Sequence, residues 1–299
     1  MVVGVFRNDR FGNTREAFDG VVAGLELLGV DHFVTDQSKY VDCDVAVVWG
    51  IFKKKGKKRR VGLKEIFDNQ QDLQKDVLVM ERGFIRRDIY SSIGWNGLNG
   101  RADFKNKNMP SDRFEDLNID ISPWRNHGES ILLCGQVPWD SSVQTLNPWK
   151  GYDGYSDWCR DTIEEIKKNT DRPIVFRNHP DLLHAKDAKR DILNWIQQVD
   201  GVTWSEGPIE EDFEKAWAVV AFNSNVTVDA ALRGIPIFVD DIGAMAMDVA
   251  NTDLSKLNNP DKPDRSRWLN DISYSQWTPS EMSLGLPIKH LLGLGEDSD

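Results

Sequence analysis

Short continuous apolar runs recur along the chain, separated by polar turns and by stretches whose apolar residues return at helical spacing. Residues 2–6 read as a first strand, and the polar stretch after them turns into a helix near Asn13 or Thr14. In that helix Ala17, Val21, Val22, Leu25 and Leu28 recur with helical period until Gly29 ends it. Residues 32–35 and 45–49 are the next strands, 63–73 a weakly patterned helix and 77–80 a further strand. Residues 81–104, ERGFIRRDIYSSIGWNGLNGRADF, keep no period and are dense in Gly, Asn, Arg and aromatic rings, so an ordered irregular segment at the carboxyl edge of a sheet is expected. Residues 105–124 are polar and broken by Pro110 and Pro123, the composition of a linker. Beyond them, strands at 130–134, 173–177, 202–204, 217–222 and 235–239 alternate with helices at 155–168, 186–199, 209–216 and 226–233. That alternation predicts a parallel, doubly wound sheet.

Residues 216–240 carry the most chemistry in this pattern. A buried strand (WAVVAF) breaks at Asn223-Ser224-Asn225, a helix follows to Arg233, Gly234 stops it, and a strand restarts. This order brings backbone N–H groups and hydroxyls to the carboxyl edge of a sheet, where a diphosphate is held without metal. The same residues also suit an ordinary βαβ turn with an Asn/Ser cap. In the irregular segment, Trp95, Asn96, Asn99 and Arg101 are of the types that line carbohydrate pockets, a ring face for the sugar and forked donors for its hydroxyls. A packed Ω-loop plugged by its own rings is the alternative there.

Composition narrows the picture. With 299 residues, 40% of them hydrophobic, the chain can bury two modest α/β cores. A net charge of −11 gives no global field for nucleic acid. Against it stands KKKGKKRR at 53–60, seven basic residues around one glycine. It reads as a solvated loop or as a grip on phosphates. The three cysteines are unclustered, which indicates neither a disulfide framework nor a zinc site and fits a reducing, cytoplasmic setting. Asp42-Cys43-Asp44 lacks further ligands, so no metal is expected. No apolar run reaches the roughly 18 residues of a membrane span, and the first residues are too short for a signal peptide.

Four segments then carry a specific resemblance: GQVPWDSSV at 135–143, RNHP at 177–180, FNSNVTVDAALRGIPIFV at 222–239 and RWLNDISYSQWTPSEM at 267–282. In this order they resemble the bacterial capsule-polysaccharide biosynthesis family, which includes the Kdo transferases, glycosyltransferases of the GT-B fold. ERGF at 81–84 with SSIGWNGLNGR at 91–101 resembles that family's N-terminal segment more loosely. The family's acidic-acidic-Gly-Phe reads Glu81-Arg82-Gly83-Phe84 here, a departure that leaves the donor sugar and the acceptor open.

The resemblance implies two Rossmann-like domains facing across a cleft: an acceptor-side α/β domain (1–122), a nucleotide-sugar-binding domain (123–265), and C-terminal helices (266–299) that return to the first. It implies metal-independent transfer from a nucleotide-sugar co-substrate to a hydroxyl of a glycan or glycolipid. No other cofactor is called for. Breaking a sugar–phosphate bond builds negative charge on the departing nucleotide, which His179 and the Ser224/Asn225 helix start would stabilise. Asp140 suits a role in orienting or deprotonating the acceptor hydroxyl, with Glu81 the competing base. Asp229 would accept the ribose hydroxyls, and Gln136, Ser141, Ser142, Arg177, Asn223 and Thr227 complete the donor side. Arg82, Trp95, Asn96, Asn99 and Arg101 make the acceptor side. For His179 the competing reading is a capped turn, and for Asp140 an Asx-turn. Two other functions are compatible: a transferase of the same fold acting on hydroxymethylated pyrimidines of phage DNA gripped by 53–60, and a non-catalytic sugar-nucleotide binder.

Overall fold

The computed structural model describes residues 1–8, 12–51, 61–143, 153–183 and 188–293; the basic run 53–60 lies outside them. The chain divides into two compact units, Met1–Leu117 with Leu269–Asp299, and Asn118–Trp268.

The first unit opens with β1 (Val3–Arg7), α1 (Gly12–Leu27), β2 (His32–Asp36), β3 (Val45–Trp49), α2 (Val61–Asp72) and β4 (Asp76–Arg82). The apolar runs of β1, β3 and β4 are buried, as strands covered on both faces must be. They pair parallel in the order β2-β1-β3-β4. β5 (Ser91–Trp95) follows, and α3 spans Asp112–Leu117.

Two expectations are corrected here. Residues 81–104 do not stay at the carboxyl edge. β5 runs antiparallel to β4, pairing Arg82 with Ser91 and Leu78 with Trp95, so the segment after Trp95 emerges at the amino edge. Nor is 105–117 a linker. The Asn106 amide donates to the Asp271 carbonyl (2.7 Å) and the Ser275 hydroxyl (2.8 Å). Arg113 donates to the carbonyls of Ser273 and Gln276 and to the Glu281 carboxylate (2.6 Å), with its guanidinium 3.8 Å from the Trp277 ring centroid. Polar composition does not mean exposure here: these side chains are anchors.

The second unit contains β6 (Ser130–Cys134), α4 (Asp153–Asn169), β7 (Ile174–Arg177), α5 (Pro180–Leu183), β8 (Val202–Ser205), α6 (Ile209–Lys215), β9 (Ala216–Ala221), α7 (Val226–Leu232) and β10 (Ile237–Val239). All five strands are parallel, in the order β10-β9-β6-β7-β8. The alternation read from sequence is therefore present, except that the helix predicted at 186–199 is a 3₁₀ segment over Ala188–Gln198. Ile131, Leu133, Tyr155, Cys159, Ile163, Phe176, Val220 and Phe222 share one buried cluster, which fixes α4 on the sheet.

The chain then returns to the first unit. α8 (Ser266–Ser273) leads to β11 (Gln276–Trp277), α9 (Pro279–Ser283) and α10 (Leu286–Leu292). β11 pairs antiparallel with β5 and completes a six-stranded sheet, β11-β5-β4-β3-β1-β2. Thr278 and Glu281 close a reciprocal capping box at the start of α9. α9 lies directly on α1 because Gly20 and Gly24 present no side chain there; a Cβ on Gly20 would sit 2.6 Å from the Pro279 carbonyl oxygen.

Candidate functional site

In the second sheet the chain steps from β6 to β7 and β8 on one side, then to β9 and β10 on the other. β6 and β9 thus flank a topological switch point, where open α/β sheets bind ligands beyond the carboxyl ends of their strands. The β6 loop carries Gln136 to Ser142 and the β9 loop carries Asn223 to Asn225. β7, beside β6, delivers His179. Three adjacent strand ends at about 4.8 Å spacing put these loops within roughly 10 Å of one another.

The floor of this edge is a closed polar network. Gln136 (6% exposed) and Asn223 (1% exposed) exchange two hydrogen bonds: Gln136 Nε2 donates to Asn223 Oδ1 (2.8 Å) and the Asn223 backbone N–H donates to Gln136 Oε1 (2.9 Å). Asn223 Nδ2 spends its two hydrogens on the Ser142 carbonyl and on Asp241 Oδ1, both at 2.8 Å. Below, the Gln136 N–H donates to the hydroxyl of Tyr155 (2.7 Å), a ring stacked on Trp158 and edge-on to Phe222. Burial holds that hydroxyl protonated, its pKa well above the ordinary tyrosine value.

The walls are two tight turns. Asp140 Oδ1 accepts from the backbone N–H (2.9 Å) and hydroxyl (3.0 Å) of Ser142, and the Asp140 carbonyl accepts from Val143 N–H. Asp140 therefore closes an Asx-turn, with Ser141 and Ser142 half-exposed on the following 3₁₀ turn. On the other side the Ser224 carbonyl accepts from the N–H (3.1 Å) and hydroxyl (2.7 Å) of Thr227. Thr227 is fully buried and serves this turn. Asn225 precedes α7 with a buried Oδ1 that has no hydrogen-bond partner among the described residues, and half-buried Asp229 sits one turn in.

His179 stands just ahead of α5. Its Nδ1 accepts the Asp181 N–H at 3.2 Å, which leaves Nε2 as the ring's donor in this pose. Arg177 is committed elsewhere: it donates to the Gly207 carbonyl (2.6 Å) and pairs with Asp212 (2.9 Å), itself held by Ser205. Of the donor-side residues named from sequence, Gln136, Asn223 and Thr227 are thus spent on the scaffold and Arg177 on an ion pair. Asp140, Ser141, Ser142, Ser224, Asn225 and His179 border the edge itself. Sequence reading missed Tyr155 and Asp241. The second had a signal, the second of two carboxylates after an apolar strand, two residues before Gly243.

In the first unit, Glu81 and Arg82 end β4 at the carboxyl edge, and Glu81 Oε2 lies 3.8 Å from where a side chain on Gly50 would begin. Trp95, Asn96, Asn99 and Arg101 are at the opposite edge. Trp95 Nε1 donates to the Leu291 carbonyl (3.3 Å). Asn96 closes the start of β4 by accepting from Val77 N–H and donating to Asp76, both at 2.8 Å. Asn99 and Arg101 form a 3₁₀ turn beyond it. The structure does not bring these four together with Glu81 and Arg82. Among the described residues, no helix is long and apolar enough to cross a membrane.

No family model and no curated protein sequence matches the chain. Solved structures do. Thermosulfurimonas dismutans KpsC, a beta Kdo 2,4 transferase, is 12% identical, with 92% of this chain and 90% of that one covered and a TM-score of 0.57. The beta Kdo 2,7 transferase of the same organism's KpsC is 13% identical over 95% of this chain and 98% of that one, with a TM-score of 0.47. A UDP-N-acetylglucosamine 2-epimerase from Listeria monocytogenes scores 0.33 at 11% identity, covering 100% and 97% of the two chains. Only the first score is high enough to speak for shared topology. This chain, two Rossmann-like units with a carboxy-terminal segment that rejoins the first, is thus similar in fold to that beta Kdo 2,4 transferase.

Proposed function

We propose that the protein is a metal-independent glycosyltransferase that moves a sugar from a nucleotide-sugar donor to a hydroxyl of a glycan or glycolipid. The observation that carries this reading is the meeting of the Asp140–Ser142 turn and the Ser224–Asn225 turn over the β6/β9 switch point, with His179 just past the end of the next strand. Serine hydroxyls, backbone N–H groups and an imidazole donating from Nε2 supply hydrogen bonds to a departing phosphate. Such donors favour the charge that builds as the sugar–phosphate bond breaks. The acceptor contacts fall to the first unit, where exposed Arg82 and half-buried Glu81 are the candidates at the carboxyl edge.

Asp140 and Glu81 compete for the role of general base. Each carboxylate already accepts a local hydrogen bond, Asp140 Oδ1 from Ser142 and Glu81 Oε1 from the Arg82 backbone N–H (3.1 Å); Glu81 is preferred because it stands in the unit given to the acceptor. Glu81→Gln is expected to lower kcat by about a hundredfold, the usual scale of general-base catalysis, while leaving nucleotide affinity unchanged. The mirror-image result for Asp140→Asn, with Glu81→Gln active, would reverse the assignment.

A thermal-shift panel of UDP-, CMP-, GDP- and dTDP-sugars tests the donor. A true donor at a hundred times its Kd adds about 2.7 kcal/mol to stability, and His179→Ala diminishes the shift. No shift with any of them rejects the reading, and a shift without turnover turns it into a non-catalytic binder. The DNA reading rests on 53–60 alone, outside the described residues. Duplex binding that falls steeply with salt and with Lys53, Lys54 and Lys55 changed to Ala would restore it.

A further inference from the structure

The network under the switch point contains one charged side chain that no part of the proposed chemistry uses. Asp241 follows β10, is 8% exposed, and through Oδ1 accepts the Asn223 side-chain N–H (2.8 Å) and the Gly243 backbone N–H (2.8 Å). We propose that Asp241 is a positioning residue of the donor site: by fixing the amide of Asn223 it sets the Asp140–Val143 turn against the Ser224–Asn225 turn. The inference rests on the reading of this edge as the donor site.

Asn223 could present its side chain in either of two orientations related by a half-turn. In the observed one, Oδ1 faces the Gln136 Nε2 donor, and Nδ2 faces two acceptors, the Ser142 carbonyl and Asp241. The reversed amide would set a donor against Gln136 Nε2 and an oxygen against both acceptors. A carboxylate has only acceptors to offer, so Asp241 removes the reversed state. With the orientation fixed, Nδ2 holds the Ser142 carbonyl. The Ser142 N–H and hydroxyl in turn hold Asp140. The chain Asp241–Asn223–Ser142–Asp140 thus crosses from the end of β10 to the loop after β6, and the backbone of Asn223 starts the turn that carries Ser224 and Asn225. Buried and satisfied, such a network holds loops to a fraction of an ångström, the tolerance a phosphate site needs.

The test compares Asp241→Ala, Asp241→Asn and the wild-type protein by hydrogen exchange, and by calorimetric titration with UDP, CMP, GDP and dTDP. Asp241→Ala is expected to speed exchange at 140–143 and 223–226, and to weaken the nucleotide that binds the wild type by at least tenfold. Asp241→Asn, whose Oδ1 still accepts both hydrogen bonds, is expected to return both readouts to within about twofold of wild type. If Asp241→Ala does not fold, Asp241→Ser, too short to reach Asn223, replaces it. Wild-type affinity in Asp241→Ala overturns the inference. So does an Asp241→Asn protein as weak as Asp241→Ala, because the charge would then be acting on the nucleotide itself. A wild-type protein that binds none of the four nucleotides overturns the donor reading and the site role with it, while the exchange contrast separately decides whether Asp241 holds the two turns.

Discussion

At the scale of single residues, buried polar side chains explain more of this molecule than its charged surface does. His290 shows how. Its Nε2 contacts the Phe104 carbonyl (2.9 Å), and the rings of Tyr274 and Trp277 pack beside it at 5.5 and 5.6 Å. Burial holds its pKa below the ordinary 6.5, Arg113 pushes the same way, and the Phe104 carbonyl only partly opposes them. The unfolded chain therefore takes up a proton near 6.5 that the folded one resists, and folding stability must fall as pH drops through that value. A single such group contributes a slope of at most about 1.4 kcal/mol per pH unit. Urea titrations between pH 7.5 and 5.5 are expected to show a shallower decline in His290→Gln than in the wild-type protein. Equal slopes would place the proton elsewhere. Trp268, Tyr274 and Trp277 make the carboxy-terminal segment legible in the sequence as too apolar for a tail. Its polar partner Arg113 is not, because a partner 160 or more residues away leaves no local period.

At the scale of elements, legibility followed the strand environment. β6, β7, β9 and β10 are short apolar runs bounded by Gly, Pro and Asn, and periodicity alone locates them. β5 and β11 escaped. SSIGW has two serines buried by hydrogen bonding rather than by apolarity, and QW spans two residues whose Gln276, fully buried, ties Phe84 N–H, Ile85 N–H and the Ile85 carbonyl. Missing β5 carried a cost for function, since it placed Trp95 to Arg101 at the wrong edge. The candidate site was legible as loops at strand ends, but which side chains face outward was not, because Asn223 and Thr227 look identical in sequence to ligand-binding residues. The α1–α9 contact supplies a test of packing against propensity. Gly24→Ala should gain about 1 kcal/mol of helix propensity. The added methyl would, however, meet the backbone of Met282 and of Gly285, the latter at 3.0 Å. Overpacking costs about 1–3 kcal/mol, so packing wins and the variant is expected to unfold at lower urea. A rise in midpoint would mean that α9 can move aside.

At the scale of the whole molecule, the first unit is assembled from two distant pieces of chain, and the second is inserted between them. Trp277, Met282, Ile288 and Leu291 come from the second piece and are buried in the same cluster as Val5, Phe18, Leu78 and Ile93 from the first. Each large apolar side chain is worth roughly 1.5–3 kcal/mol when buried, so the four together rival the roughly 5–15 kcal/mol that holds an entire domain. A chain ended at Trp268 loses them, loses β11 from the sheet edge, and leaves Arg113 without its three acceptors. The second unit keeps its whole sheet and its own cluster. Limited proteolysis of the truncated chain is therefore expected to digest residues 1–117 first and to leave a resistant fragment close to 118–268. If both pieces resist equally, the first sheet holds without its returning segment.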